Sequence, residues 1–337
     1  PWLEVSLGKP CLFSSALRKS LQSVCTREIF DIMFDFEKSI IDYSTKNYYY
    51  RRMILFLLKK NFFDGWENII NLIFPNLICD IFVLAIYFGY RFFRFPFSIL
   101  SLVIIFLGIS LLVVASGAFG KNALLIAGFE TAHLSTYFKN LWSAFKDYFK
   151  FGMIVALIVL SAVTGIPFYI GINGFIGFML AAILFLFISI LVLGLQWFIP
   201  LKEILKLNFK KTFKKCFVIL FDNFAFSIFM FCYVWWPYII CFLVLNLKSA
   251  LQGNPGILGI CVALGFLLPG WSGIVLSYVN ALRLRLYKYD WLDQHADLKN
   301  AKERKNIPWE ALLREDSMAL GKKSLRSIIA PWKSRED

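Results

Sequence analysis

Long apolar stretches alternate with shorter polar ones through most of the chain. A helix needs about 20 apolar residues to cross a bilayer core of about 30 Å. Six stretches reach that length, and they predict membrane-spanning helices over residues 69–90, 97–118, 151–171, 175–199, 217–246 and 256–281. The predicted fold class is therefore an all-α integral membrane protein with six transmembrane helices.

The links between these spans are of two kinds. Residues 91–96, 172–174 and 247–255 form short links, which predict that consecutive spans pair as three antiparallel hairpins. The intervening links are longer and rich in lysine. Within the third span, Pro167 predicts a kink, because proline cannot donate the helical hydrogen bond.

Basic residues are unevenly distributed between the two sides of the predicted spans. All but three of the 36 lysines and arginines fall on the side that holds the N-terminus; the exceptions are Arg91, Arg94 and Lys248. Positive charge accumulates in cytoplasmic loops. This pattern predicts a multi-pass membrane protein with both termini in the cytoplasm.

Two of the longer links have amphipathic helical spacing. Apolar residues recur every three or four positions over 138–148, and again at Leu201, Leu205, Phe209 and Phe213. Both segments are too polar to span a membrane, and such segments typically lie in the head-group plane. The predicted head-group contacts are Lys139, Lys146, Lys150, Lys206, Lys210, Lys211, Lys214 and Lys215.

The composition indicates a lipid partner for this charge. Hydrophobic residues make up 59% of the chain, more than a soluble core requires. The net charge of +14 would suggest nucleic acid in a soluble protein, but here the basic residues adjoin apolar segments. We therefore expect anionic phospholipid as the partner and no nucleic acid.

The chain divides by composition into three predicted regions. Residues 1–60 form a polar N-terminal extension, residues 61–285 the transmembrane domain, and residues 286–337 a charged cytoplasmic tail. One hypothesis is that the natural start is Met53, which would leave residues 1–52 as an upstream extension. Trp309, Leu312, Leu313 and Trp332 are apolar positions in the polar tail, and they are candidates for docking a membrane or cytoplasmic protein.

An ionisable group at membrane depth is a candidate functional residue, because burying it in hydrocarbon costs about 2.5–3.5 kcal/mol even on insertion scales. Asp80 lies in the middle of the first span, one turn after Asn76. With Asn280 of the last span, these residues form the candidate intramembrane polar site. Its role is left open between a coupling site of a transporter and a polar contact that pins two helices.

The sequence offers little for catalysis or cofactor binding. Its seven cysteines form no C-x-x-C pair and it has two histidines, so no metal site is predicted. No hydrolase, metalloprotease or phosphate-binding motif is present. We expect a protein that is not an enzyme and has no cofactor.

The aromatic and acidic segment from Asn61 to Ile70, the basic segment from Tyr137 to Lys150, and residues 201–217 together resemble the YesL-like family of bacterial membrane proteins. The resemblance covers about residues 60–285. It implies a multi-helix inner-membrane protein of unsettled activity, in a family often suspected of assisting sugar uptake.

The functional prediction is a non-catalytic accessory or scaffold protein. Its basic interfacial helices would bind anionic lipid, and its cytoplasmic tail would recruit a partner. The alternative is a small permease that uses Asp80 as a coupling site.

Overall fold

A computed structural model describes residues 43–92, 98–172, 174–236, 270–295 and 307–321. These residues are helical almost throughout and contain no strand, which confirms the all-α prediction. The chain divides into two compact units: Asn61–Leu282, and Pro1–Lys60 together with Arg283–Asp337. They are called here the apolar unit and the terminal unit, and each is described by itself.

The described helices follow one another with short breaks. They are α1 (Tyr43–Glu67), α2 (Ile69–Phe92), α3 (Ile99–Ala118), α4 (Gly120–Ala127), α5 (Leu134–Leu160), α6 (Ile166–Gly171), α7 (Phe175–Leu195), α8 (Phe198–Leu205), α9 (Phe209–Asp222), α10 (Phe224–Trp236), α11 (Gly270–Gln294), α12 (Trp309–Leu312) and α13 (Arg314–Leu320). Helix α1 crosses position 53 without a break.

Four helical segments among the described residues are long and apolar enough to cross a membrane: Ile69–Tyr90, Ile99–Ala127, Leu134–Gly171 and Phe175–Leu205. A fifth is added if α9 and α10 form one bent span. These segments are compatible with a multi-pass membrane protein. The predicted sixth span is described only from Gly270 onward, and Arg94, Lys248 and the link 247–255 lie outside the described residues.

The predicted span over residues 217–246 differs from the structure. Helices α9 and α10 meet at Asn223 with a bend of 101°. Asn223 leaves the helical conformation, and its side-chain amide donates to the Asp222 carboxylate at 2.8 Å. Short polar side chains of this kind compete with helical backbone bonding. The first part of the predicted span, residues 217–222, therefore belongs to the basic helix α9.

The third predicted span is also organised differently. Helix α5 joins the amphipathic segment to the apolar one without a break at Lys150. A π-helical turn follows at Ser161–Gly165, directly before Pro167 in the first turn of α6. Proline removes one backbone donor and clashes with the preceding turn. The helix is therefore locally widened directly before Pro167, and a kink at this proline stays a prediction.

Small residues allow close helix packing in the apolar unit. The Ser101 hydroxyl of α3 donates to the Gly89 carbonyl of α2 at 2.7 Å. Between α3 and α5, a Cβ on Gly152 would lie 2.5 Å from the Ser110 carbonyl oxygen. Backbones approach this closely only where side chains are small, as is common between membrane helices.

The terminal unit has its own buried residues and a polar network. Met53 and Leu57 of α1 are fully buried. The Arg283 guanidinium of α11 forms an ion pair of 3.0 Å with Asp316 of α13. The Tyr287 hydroxyl donates to the same carboxylate at 3.2 Å. The polar network therefore joins α11 to α13.

Candidate functional site

Helix α9 has one buried face. Thr212, Cys216, Ile219 and Leu220 are buried. Phe217 packs against α7, where a Cβ on Gly194 would lie 2.9 Å from its ring. The helix is therefore held against the apolar unit along one side, and its other side is free for lysines.

The lysines of this region lie on the opposite side. Lys210, Lys211 and Lys214 are exposed, as is Lys206, while Lys215 is half-buried. Within the described ranges, the four exposed lysines form no ion pair with a carboxylate. Their charge is therefore available to an external anion.

The position of these lysines within α9 strengthens the positive field. Asn208 is the N-cap residue, its side chain makes no capping bond, and Lys210 and Lys211 lie in the first turn. A helix N-terminus carries a partial positive charge and unsatisfied N–H donors. Lysines usually avoid this position. Their presence here concentrates positive charge where an anion would be favoured most.

An aromatic edge borders the lysines of α9. Ring centroids are 6.3 Å apart between Phe209 and Phe213, and 5.4 Å between Phe213 and Phe217. Phe221 continues the same spacing of four residues and is 65% exposed. Exposed aromatic rings beside lysines are typical of helices that lie at a membrane surface.

The first half of α5 carries a second aromatic and basic surface. Trp142, 70% exposed, stacks on Phe145 at 6.0 Å, and Phe145 stacks on Phe149 at 4.7 Å. The Lys146 ammonium lies 5.7 Å from the Trp142 ring centroid. Like Lys146, the predicted contacts Lys139 and Lys150 are exposed.

One residue of the predicted apolar stripe on α5 has another role. Tyr148 is buried, and its hydroxyl donates to the Glu203 carboxylate of α8 at 2.5 Å. An adjacent ion pair joins Lys202 to Asp147 at 3.1 Å. These bonds connect α5 to the segment that leads into α9. The sequence signal for them is that Glu203 is the single acidic residue among the lysines of 198–215.

The space beside Tyr148 and Glu203 is small. A recess lined by these residues and by Lys121, Asn140 and Asp147 has a volume of about 10 Å³. That volume is close to the minimum for a single water molecule. The recess therefore has no room for a substrate, and we assign the surrounding bonds to fixing the two basic segments.

The candidate intramembrane residues lie in two places. The Asn76 side-chain oxygen accepts a hydrogen bond of 2.8 Å from the backbone N–H of Ser272 in α11. The Asp80 carboxylate contacts the Trp271 side chain beside it. Both residues of α2 therefore contact the first turn of α11.

Asn280 lies two turns further along α11, in a second cluster. Its side-chain amide donates to Asn61 and to Asp64, each at 2.9 Å. Asn61 and Asp64 are buried near the end of α1. The sequence analysis did not select them as site residues, although both belong to the aromatic and acidic segment that supported the family resemblance.

The tail residues differ in how far they are exposed. Trp309 and Leu313 are buried within the terminal unit, at 4% and 6% exposed. Leu312 is half-buried, and Trp332 lies outside the described residues. Any contact with a partner through α12 and α13 would therefore use the rims of the buried side chains and their exposed neighbours.

Comparisons with known proteins give no relative. No protein-family model, no curated protein and no solved structure matches the chain. The resemblance to the YesL-like family rests on sequence features alone. In the described part of the chain, no group of three or more His, Cys, Asp or Glu residues is arranged to hold a metal ion.

Proposed function

We propose that this protein is a non-catalytic accessory protein of the bacterial inner membrane that binds anionic phospholipid head groups. The binding surface consists of helix α9 and the exposed aromatic and lysine residues of α5. One observation carries the proposal: the basic helix α9 meets the apolar helix α10 at 101°, with its lysines exposed.

The bend gives each helix a different environment. If α10 crosses the bilayer, the bend of 101° places α9 nearly parallel to the membrane surface. In that orientation the aromatic edge of α9 can enter the acyl boundary while lysine side chains extend to the phosphates. Both termini of the chain are cytoplasmic in this arrangement, and the lipids belong to the inner leaflet.

The expected affinity follows from the number of lysines. A basic residue near an anionic surface contributes about 1 kcal/mol. Lys210, Lys211 and Lys214 together would contribute about 3 kcal/mol, which corresponds to roughly a hundredfold in binding. Their place at a helix N-terminus adds to this attraction.

The permease alternative has weaker support. Asn76 and Asp80 both contact the start of α11. Contacts of this kind are typical of residues that hold two helices together. We therefore favour the pinning role for this pair and retain transport as the alternative. Accumulation of a solute in vesicles that is lost in the Asp80→Asn variant would favour transport.

We test lipid binding by native mass spectrometry of the full-length protein released from micelles with phosphatidylglycerol and phosphatidylcholine. The wild-type protein should retain several phosphatidylglycerol molecules in preference to phosphatidylcholine. The triple variant Lys210→Gln, Lys211→Gln and Lys214→Gln should lose most of this preference.

Two controls separate a local site from overall charge. Replacing Lys299, Lys302 and Lys305 of the polar tail by Gln removes the same charge elsewhere and should leave the preference intact. Replacing Lys210, Lys211 and Lys214 by Arg should preserve it. Equal phosphatidylglycerol retention by the α9 Gln variant and the wild-type protein would refute the proposal.

We further propose that the tail recruits a membrane or cytoplasmic protein, as its apolar positions suggest. A stoichiometric partner that co-purifies from native membranes and is lost on deletion of residues 289–337 would support this role. A partner that persists after the deletion would contradict it. We also propose that the protein is a member of the YesL-like family, which the aromatic and acidic segment and the two basic segments support.

A further inference from the structure

An apolar groove lies on the surface of the terminal unit. It is lined by Phe56 of α1, Trp309 of α12, Leu313 between the two short helices and Met318 of α13, with Glu310 and Arg314 also in its lining. Its volume is about 370 Å³, and Met318 is 62% exposed. This space is large enough for one or two bulky side chains.

The terminal unit already holds one proline-tryptophan segment. In Ile307-Pro308-Trp309-Glu310, the isoleucine and the tryptophan are 8% and 4% exposed, and the following glutamate is exposed. A closely similar sequence recurs after the last described residue, as Ile329-Ala330-Pro331-Trp332-Lys333. In this second sequence the charged residue after the tryptophan is positive instead of negative.

The second segment can reach the groove. Gly321 follows α13 with a positive φ of 63°, a backbone conformation that favours glycine and does not continue the helix. Residues 322–326 can extend over about 17 Å. Helix α13 has seven residues and is about 10 Å long. A chain that reverses after Gly321 can therefore run back along α13 as far as Trp309.

We propose that residues 327–333 occupy this groove. The apolar side chains Ile329 and Trp332 cover Leu313 and Met318, and Lys333 faces the exposed carboxylate of Glu310. Residues 327–333 are complementary to the groove. Their aromatic and aliphatic side chains match its apolar lining, and the positive charge of Lys333 matches the negative charge of Glu310.

This inference deepens the recruitment of a partner proposed above. A partner that uses the groove must first displace residues 327–333, so recruitment becomes a competition between an internal and an external segment. Binding of the segment within the chain does not depend on lipid binding or on a partner, and the test below needs neither.

The test uses the full-length protein with the photoreactive residue p-benzoylphenylalanine at position 318. Irradiation and peptide mass spectrometry should identify crosslinks from this position to residues 327–333, in a product with the mass of one chain. The double variant Ile329→Asp and Trp332→Ala should reduce their yield at least fivefold. The same probe at Glu315, an exposed α13 residue not among those that line the groove, should give little of this crosslink.

A second measurement covers the case in which photochemistry perturbs the groove. Hydrogen exchange at the amides of residues 317–320 should be slower in the wild-type protein than in the Ile329→Asp and Trp332→Ala variant. Crosslinks that join two chains, crosslinks to another segment, or their absence at position 318 would overturn the proposal. Equal exchange rates in the two proteins would also overturn it.

Discussion

The side-chain oxygen of Asn76 accepts a hydrogen bond of 2.8 Å from the backbone N–H of Ser272, which lies 196 positions further along the chain. The bond satisfies one of the N–H groups that the first turn of α11 leaves without a helical partner. Gly270 is the first residue of this turn and has a φ of 52°, and a Cβ there would lie 2.4 Å from the Asn76 side chain. The contact thus depends on an asparagine in α2 and a glycine at the start of α11.

Replacing Asn76 by alanine should destabilise the protein. The variant leaves a buried N–H of α11 without its acceptor, and we expect a loss of about 1 kcal/mol in the free energy of unfolding. Thermal unfolding in detergent measures the difference. Leu77→Ala, at a neighbouring position that is 52% exposed, serves as the control and should have a smaller effect. Equal stability of Asn76→Ala and the wild-type protein would show that the bond contributes nothing.

Replacing Gly152 by alanine should disrupt the packing of α3 on α5. The added Cβ would meet the Ser110 carbonyl, so the helices must separate, at an expected cost of about 1–3 kcal/mol. The matched control is Gly171→Ala, because a Cβ at Gly171 has no atom within 4 Å. Chemical unfolding of both variants compares them. A Gly152 variant as stable as the Gly171 variant would contradict the close approach of the two helices.

The hydroxyl of Tyr148 should matter for the link between α5 and α8. Tyr148→Phe removes the donor to Glu203 and keeps the ring, and we expect a loss of about 1–2 kcal/mol. Tyr169→Phe is the control, since the Tyr169 hydroxyl makes no side-chain hydrogen bond among the described residues. Because the bond positions the basic segments, Tyr148→Phe should also weaken phosphatidylglycerol retention. If Tyr148→Phe is as stable as the wild-type protein, the Tyr148 hydroxyl does not stabilise the link between α5 and α8.

The stability of the terminal unit should depend on pH through Asp290. Burial raises the pKa of this carboxyl from 3.8 to about 6, and the negative charge of Asp293 adds to the shift. The folded unit therefore binds the proton more tightly than the unfolded chain. Its extra stability is complete below pH 3.8 and is lost as the pH rises through 6.

Hydrogen exchange of the last turns of α11 between pH 4 and 7, corrected for intrinsic rates, measures this dependence. Protection should fall as the pH rises. Asp290→Asn should remove the dependence, and Asp293→Asn should move it to lower pH. If the pH dependence of protection is unchanged in Asp290→Asn, another titratable group causes it.

Some features of the fold were predictable because they depend on composition over long windows. The bounds of α2 and α3 follow from continuous apolar sequence, since lipid requires an apolar surface on every side. The bend at Asn223 was not predictable in the same way. Most residues of 217–246 are apolar, and the polar pair Asp222-Asn223 within such a run gives no measure of whether packing will favour a break.

Contacts between distant segments were harder to predict than helices. The sequence selected Asn76, Asp80 and Asn280 as polar groups within predicted spans, but spacing along the chain does not indicate which helices that are distant in sequence adjoin. Asn280 therefore has partners, Asn61 and Asp64, that only the structure assigns. The exposed lysine face of α9 was visible in local periodicity, and its contact with lipid head groups stays a prediction.

The most direct test of the account is the side of the membrane that α9 faces. A single cysteine at the exposed position 211, in a chain whose native cysteines are replaced, is exposed to a membrane-impermeant maleimide. A single cysteine at Ile172, in the link predicted to be outside, is the positive control. We predict labelling at 172 in intact cells, and at 211 only after the inner membrane is permeabilised. Labelling at 211 in intact cells would contradict the orientation and the proposed binding of inner-leaflet lipid.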